Sequence, residues 1–297
     1  MMNASGADSK PSIRQHTVGR SAAWHGERRR RRDDVLLVHP AEADTGIRFV
    51  IRGADRDTRT IAARWDAVVD TRDELVLGNT HGVTLRGAIP LLAALRVAGV
   101  DNAVVEVSGT RIPMDDANFE FYLDMLANVD VRAQTAPRRL LRVIETVEVR
   151  DRFGFVTLSP ATVFGARVYV TTIQPGGCPG TARITLVSDF TEPHGEPNAT
   201  PGRSHAKKLV QAGDTRVTRR LGEICTLPEA LRATLVDMIG HLALAGAPLA
   251  SYVHSHGTTP ALYQALLQAV MDRGVVVLTT VDEHRARHDS VSGADVK

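Results

Sequence analysis

The stretch from Leu231 to Leu266 reads LRATLVDMIGHLALAGAPLASYVHSHGTTPALYQAL, and it sets out four elements in a single run. Apolar residues at helical spacing lead into a glycine turn at Gly246, and a short strand follows the turn. A second helix opens at Thr258-Thr259-Pro260, where a threonine N-cap precedes a proline. This order of helix, turn, strand and helix predicts a fold that mixes α and β structure.

Four polar residues of this stretch are able to bind a metal or carry a proton. Asp237 and His241 lie four residues apart, so a helix projects them from one face. His254 and His256 alternate along the strand, so they share one face of a sheet. Ala233, one turn before Asp237, offers only a methyl group. The stretch therefore combines four candidate ligands with an inert position.

The same rhythm of helix, glycine and strand occurs twice in the chain. The segment LLAALRVAGVDNAVVEV at 91–107 matches MIGHLALAGAPLASYV at 238–253 in this respect. The repeat predicts a duplicated α+β unit with a boundary near Ala136-Pro137. The expected divisions are a disordered tail over 1–12, a first domain over 13–136, a second domain over 137–283 and a disordered tail over 284–297.

The composition excludes several classes of protein. A net charge of +2 over 297 residues gives no argument for a nucleic-acid partner. No apolar run reaches the roughly 18–20 residues of a transmembrane segment, and the first residues lack the apolar core of a signal peptide. The two cysteines have no metal-binding spacing. A reduced, cytoplasmic protein is therefore expected.

Two segments leave alternatives open. The arginines Arg28–Arg32 are flanked by acidic residues, and they form either a site for phosphate or acidic lipid or a solvated turn. The absence of aromatic residues between them favours the solvated turn. The loop at 189–202 is rich in proline, glycine and asparagine, and a loop of this length is either functional or mobile.

Several short motifs fit one known family in order and spacing. The most specific are DTGIRF at 44–49 and GVDNAVVE at 99–106. The remaining matches are Gln15-His16-Thr17, Trp24-His25-Gly26, Ile112-Pro113-Met114-Asp115, and Asp237–Leu242 with Gly246 and His256. These motifs resemble the UDP-3-O-acyl-N-acetylglucosamine deacetylase family, and the resemblance covers most of residues 13–283.

This resemblance implies a zinc-dependent amidase that removes an acetyl group from a UDP-linked acylated glucosamine during lipid A biosynthesis. The implied fold is α+β, a duplicated two-layer β-α-α-β sandwich whose two helix layers face each other. In such an enzyme the zinc activates a water, a glutamate acts as general base and a histidine stabilises the intermediate. The implied ligand is an acylated small molecule, a UDP-sugar.

Carried over by position, most of the family's active site is absent. Its glutamate and histidine pair falls on Ile89-Pro90, and its histidine and lysine pair falls on Ala233-Thr234. The following aspartate is kept as Asp237, the next aspartate is replaced by His241, and the catalytic histidine corresponds to His256. Because a catalytic zinc takes about three protein ligands, deacetylation by the family mechanism is not expected.

Two interpretations of the remaining site stay open. Asp237, His241 and His256 have the ligand types of an altered metal site, with zinc as the candidate ion. Alternatively, Asp237 and His241 bond each other and His256 is a leftover residue in a pocket. At the level of the protein, the chain is either an amidohydrolase-like hydrolase or a non-catalytic relative that binds an acylated small molecule or an active paralogue.

Overall fold

The computed structural model describes residues 12–25, 35–53, 58–112, 119–161, 166–171, 182–188, 215–220 and 229–292. Over these ranges the chain is α+β, as the sequence predicts. The arginine run, the loop at 189–202 and residues 1–11 lie outside the described residues. No helix among the described residues is long and apolar enough to cross a membrane.

The first half of the chain contains a five-stranded sheet in the order β2-β3-β9-β4-β5. Strands β4 and β9 are parallel, and the other neighbours are antiparallel. The strands are β2 Ala22–His25, β3 Val35–Pro40, β4 Ile47–Ile51, β5 Thr60–Ala62 and β9 Ala103–Val107. Two helices belong to this half, α1 at Ile89–Val97 and α2 at Phe119–Ala127.

Smaller elements complete the first half. A 3-10 turn at Trp65–Ala67 leads into an antiparallel sheet of three strands. These strands are β6 Val68–Asp70, β7 Val76–Gly78 and β8 Thr84–Arg86. A separate antiparallel pair joins β1, Arg14–Val18, to β10, Val131–Pro137.

The second half contains an eight-stranded sheet. Six strands run in the order β12-β13-β17-β14-β15-β16, and β17 also pairs with β11, which pairs with β18. The strands are β11 Arg139–Val143, β12 Val147–Arg150, β13 Phe155–Pro160, β14 Ala166–Thr171, β15 Ala182–Ser188, β16 Thr215–Arg220, β17 Leu249–His256 and β18 Val276–Thr280. The helices are α3 Glu229–Ala243, α4 Pro260–Asp272 and α5 Val281–Ser292.

The two halves meet through their helices. Helix α1 of the first half packs along α3 of the second half. Buried residues of both halves, such as Leu91 and Met238, belong to one hydrophobic core. Helix layers that face each other are what the resemblance implies. The division of the chain into domains at residue 136 stays a prediction, because a shared core does not test that boundary.

Helix α5 corrects the expectation of a disordered tail from residue 284, since residues 284–292 are helical. Thr280 and Glu283 form a capping box at its start. The Glu283 amide donates to Thr280 Oγ1 at 3.2 Å, and the Thr280 amide donates to Glu283 Oε2 at 3.1 Å. Val281 and His284 are buried, which docks the helix on the protein. The spacing of threonine and glutamate is the sequence signal that predicts this helix start.

Candidate functional site

Asp237 and His241 contact each other on helix α3, as one of the two interpretations predicts. His241 Nδ1 lies 2.7 Å from the backbone oxygen of Asp237 and 3.3 Å from its Oδ1. A carbonyl oxygen only accepts, so Nδ1 carries the proton of this hydrogen bond. The His241 side chain is 2% exposed, whereas that of Asp237 is 43% exposed. The pair therefore consists of a buried imidazole and a carboxylate that reaches solvent.

Tyr263 of helix α4 covers the imidazole ring of His241. The two rings are stacked, with centroids 4.9 Å apart and planes 20° apart. The Tyr263 hydroxyl bonds Thr258 Oγ1 at 2.8 Å. Burial, with a smaller contribution from the charge of Asp237, raises the pKa of Tyr263 far above its usual range, so the hydroxyl stays protonated. His241 Nε2 is buried, and within the described part of the chain it has no hydrogen-bond partner.

Helix α1 closes against α3 beside this pair. A Cβ atom added at Gly240 would lie 2.4 Å from the backbone oxygen of Ile89 and 2.6 Å from its Cγ2. Only glycine allows two helices to approach this closely. Ile89, the first residue of α1, therefore lies against the residue that precedes His241. Ile89-Pro90, where the resemblance places two of the family's active-site residues, thus begins a helix that contacts α3 at the residue before His241.

His256 lies apart from the pair, on the other face of strand β17. Ser255 is buried, and its Oγ lies 3.8 Å from Met238 Sδ, so this face of the strand looks towards α3. Neighbouring residues of a strand point to opposite faces. His254 and His256 share the outer face, and their rings contact Phe155, with centroids 5.0 and 6.1 Å away. The structure brings Asp237 and His241 together without bringing His256 to them.

These residues do not fit a catalytic zinc. A site of this kind takes about three protein ligands of nitrogen, oxygen or sulfur. Asp237 and His241 supply two, and the Nδ1 of His241 already donates to a carbonyl oxygen. Ile89-Pro90 and Ala233 have no ligand atom in their side chains. Nowhere in the described ranges do three or more His, Cys, Asp or Glu side chains converge on a point that suits a metal ion.

The motifs of the first half that carry the family resemblance build a buried polar network. Asn102 accepts a hydrogen bond from the Gly46 amide at 2.8 Å. Its Nδ2 donates to Gln15 Oε1 at 2.9 Å and to Gln134 Oε1 at 2.8 Å. Gln15 in turn donates to Asp44 Oδ1 at 2.6 Å. The motifs at 15–17, 44–49 and 99–106 are therefore joined to one another, and their role here is structural.

Asp101 adds a buried ion pair to this network. Arg138 Nε donates to Asp101 Oδ1 at 3.1 Å, and the His16 amide donates to Oδ2 at 2.9 Å. The Arg138 side chain is 6% exposed and that of Asp101 is 11% exposed. Burial acts to raise the pKa of Asp101, but Arg138, His16 and Arg96 outweigh it and lower the pKa. The pair ties the segment before β11 to the end of α1.

Sequence reasoning missed two parts of this arrangement. It did not predict the burial of Asn102, which is 1% exposed and at the centre of the network. Polar residues that recur within otherwise apolar motifs were the available signal. It also assigned no role to Tyr263, whose ring covers His241. An aromatic residue in the first turn of a helix carries no signal of that contact, because the contact depends on how α3 and α4 pack.

Comparison with known proteins supplies a family for this geometry. Residues 15–187 match the family model of LpxC, UDP-3-O-acyl N-acetylglycosamine deacetylase. A UDP-3-O-acyl-N-acetylglucosamine deacetylase of Phenylobacterium zucineum is 40% identical over 129 residues, which are 43% of this chain and 44% of that protein. The enzyme of the same name from Anaeromyxobacter sp. is 31% identical over 87% of this chain and 90% of its own length. The enzyme of the same name from Thermosynechococcus vestitus is 27% identical over 93% of this chain and 100% of its own length.

Proposed function

The chain belongs to the UDP-3-O-acyl-N-acetylglucosamine deacetylase family, and we propose that it binds an acylated UDP-sugar without deacetylating it by the family's zinc mechanism. The observation that carries the proposal is the contact of Ile89 with Gly240 beside the Asp237–His241 pair. At the place where the resemblance expects a general base and a zinc ligand, two helices pack against each other through the backbone and the apolar side chain of Ile89. A general base must offer a lone pair within reach of the substrate proton, and isoleucine offers none.

The state of His241 supports the same proposal. To bind a metal through Nδ1, this residue would have to lose both its proton and its hydrogen bond to the Asp237 carbonyl oxygen. Its other nitrogen, Nε2, is buried beside the ring of Tyr263. Asp237 then remains as a single exposed carboxylate, and one such group holds a divalent ion weakly.

The catalytic role of His256 stays a prediction. Its contact with Phe155 on the outer face of β17 favours a role in packing, because the Asp237–His241 pair lies towards the opposite face. If His256 nevertheless acts in a reaction, its replacement by alanine abolishes turnover. If it only packs, the same replacement leaves ligand binding unchanged.

The first experiment measures turnover and binding with the full chain. Acetate release from a UDP-3-O-acyl-N-acetylglucosamine is followed with and without added zinc, beside an active relative as positive control. We expect no zinc-dependent release. Thermal unfolding with the same UDP-sugar tests binding, and a ligand present at 100 times its Kd stabilises the fold by about 2.7 kcal/mol. Zinc-dependent turnover that is lost in His241→Ala would contradict the proposal, and so would the absence of any stabilisation.

The second experiment restores the missing side chains. The variant Ile89→Glu, Pro90→His, Ala233→His and His241→Asp places the family's residue types at the positions that the resemblance assigns to them. We expect this variant to bind zinc more tightly than the natural chain, measured by metal content after dialysis. Ile89→Gln, Pro90→Ala, Ala233→Ser and His241→Asn changes the same four positions on α1 and α3 without adding strong ligands, so it serves as the control. Equal zinc content in both variants would refute the assignment of these positions.

A further inference from the structure

Strand β18 forms an edge of the large sheet. In the described part of the chain it pairs with β11 and with no other strand. Helix α5 follows directly and contacts both strands. Its first residue, Val281, is buried together with Leu140 of β11, so α5 lies on a face of the sheet, and no strand among the described residues covers the outer side of β18. The outer side of β18 therefore presents main-chain groups to whatever lies beside it.

The pairing with β11 fixes which groups these are. The Ile144 amide donates to the Val275 oxygen at 3.0 Å, and the Val281 amide donates to the Arg138 oxygen at 2.9 Å. In an antiparallel ladder, hydrogen-bonded pairs alternate with non-hydrogen-bonded pairs, so Val277 and Thr279 also bond β11. The N–H and C=O groups of Val276 and Leu278 point the other way, to the outer side of β18, where the described residues provide no partner strand. The Thr280 amide is already bound to Glu283.

The side chains of this edge are apolar and exposed. Leu278 is 55% exposed and Val277 is 39% exposed, and Ile144, which pairs with Val275 beside them, is 46% exposed. The strand reads VVLTT from Val276 to Thr280, with no charge and no proline. Proteins normally protect such edges with lysine, proline or a bulge. An edge without these features fits a strand that becomes paired.

We propose that β18 pairs with β18 of a second copy of this chain, antiparallel about a two-fold axis at Val277. This register joins Val276 of each copy to Leu278 of the other as hydrogen-bonded pairs. The pairing forms about four hydrogen bonds. They use the N–H and C=O groups of Val276 and Leu278 in both copies. An axis at Leu278 would instead need the Thr280 amide, which Glu283 occupies. The main-chain groups thus select one register.

The side chains fit the same register. Leu278 of one copy comes beside Val276 of the other, and the two copies of Val277 come together on the opposite face. Apolar groups that are now exposed would then cover each other, and no charged side chain of β18 is buried. Because the pairing obeys two-fold symmetry, it closes at two chains and does not extend into a fibre. A self-complementary edge of this kind favours a second copy over an unrelated partner.

The oligomeric state tests the proposal. Sedimentation of the full chain is measured up to about 0.1 mM, since a short strand gives a small interface and a weak dimer. We expect the dimer fraction to rise with concentration, and Leu278→Lys to weaken the dimer at least tenfold. Val69→Lys replaces another exposed residue, 58% exposed in β6, and is expected to leave the dimer unchanged. A monomer at every concentration, or a dimer indifferent to Leu278→Lys, overturns the proposal.

Disulfide trapping tests the register. In a background that carries Cys178→Ser and Cys225→Ser, Val277→Cys places two cysteines opposite each other in a non-hydrogen-bonded pair. Their Cα atoms are then about 4.5 Å apart, within the range of a disulfide. Leu278→Cys is the matched control, since its partner in this register is Val276. Circular dichroism checks that both variants fold. Cross-linking of Leu278→Cys in place of Val277→Cys would refute the axis at Val277.

Discussion

At the scale of single residues, Gly240 sets the distance between the two helix layers. Because Gly240 has no side chain, the backbone of Ile89 can approach it closely. A Cβ atom on residue 240 would lie 2.4 Å from the Ile89 carbonyl oxygen. Gly240→Ala must push α1 and α3 apart, and overpacking of this kind costs about 1–3 kcal/mol. Chemical denaturation measures this loss as a shift of the midpoint at constant slope.

Gly109 provides the control for that prediction. A Cβ atom added there would meet no other atom within 4 Å. Gly109→Ala is therefore expected to leave the free energy of unfolding unchanged or slightly raised, because alanine restricts the unfolded chain. A destabilisation of Gly109→Ala equal to that of Gly240→Ala would mean that helix contact is not the cause.

Asp101 makes the stability of the fold depend on pH. Although burial acts to raise its pKa, Arg138 and its other partners lower the pKa below that of the unfolded chain. The ionised carboxylate therefore stabilises the folded state above the unfolded pKa, near 3.9. This stabilisation is lost as the pH falls through the lower, folded pKa. The unfolding midpoint of the natural protein should thus decrease as the pH is lowered below about 4.

The variant Asp101→Asn tests this assignment. It leaves the Arg138 guanidinium buried without a carboxylate, and breaking a buried pair in this way costs about 3–5 kcal/mol. The loss is expected at pH 7 and becomes smaller below the unfolded pKa, near 3.9, because the carboxyl of the unfolded natural chain then takes up a proton. Denaturant unfolding of the natural protein and of Asp101→Asn at pH 7 and at pH 3 measures how much stability the substitution costs at each pH. A loss that is the same at pH 7 and pH 3 would assign the effect to packing rather than to charge.

At the scale of elements, Thr259 fixes the start of helix α4, which presents Tyr263 to His241. Its side chain accepts a hydrogen bond from the Leu262 amide at 3.3 Å. Thr259→Ala removes this cap, and such losses cost about 1 kcal/mol. Thr259→Ser keeps the oxygen and is expected to unfold at the natural midpoint. Equal midpoints for the alanine and serine variants would show that the hydroxyl does not stabilise α4.

Periodicity predicted the elements around the site well. The helix expected before the Gly246 turn is α3, and the helix expected to open at Thr258-Thr259-Pro260 is α4, whose first residue is Pro260. Both signals are local, since apolar spacing and the Thr-Thr-Pro start need no distant contact. Helix α5 was missed because VDEHRARHDSVS lacks an apolar stripe. Its order depends on burying Val281 and His284 against the rest of the protein.

The faces of the strands were only half predictable. Alternation in β17 correctly placed His254 and His256 on one face, because that rule needs only the backbone. It does not say which face turns towards α3. Ser255 occupies that side, through its contact with Met238, so the proposed convergence of His256 with Asp237 and His241 does not occur in the described structure. Tertiary packing decides which face of β17 turns towards α3, and a single sequence does not predict that packing.

At the scale of the whole molecule, the candidate site lies where the two halves of the chain meet. Asp237 and His241 come from α3 and Ile89 comes from α1, so the site exists only while both halves are folded together. The Asp101–Arg138 pair and the hydrogen bond from the Trp65 amide to the Leu244 oxygen, at 2.8 Å, also join the halves. The junction is therefore held by contacts that do not depend on a metal ion.

A shared core predicts that the two halves unfold together. Trp24 lies in strand β2 of the first half, whereas Trp65 bonds Leu244 of the second half, so a Trp65→Phe background gives fluorescence that reports on the first half alone. Far-ultraviolet circular dichroism reports on the helices and strands of the whole chain. We expect the two signals to give one coincident transition in denaturant, as a two-state unit requires. Gly240→Ala, which lies in the second half, should then lower the fluorescence midpoint as much as the dichroism midpoint. If Gly240→Ala leaves the fluorescence midpoint unchanged, the halves are independent domains, and the contacts between them are too weak to couple their unfolding.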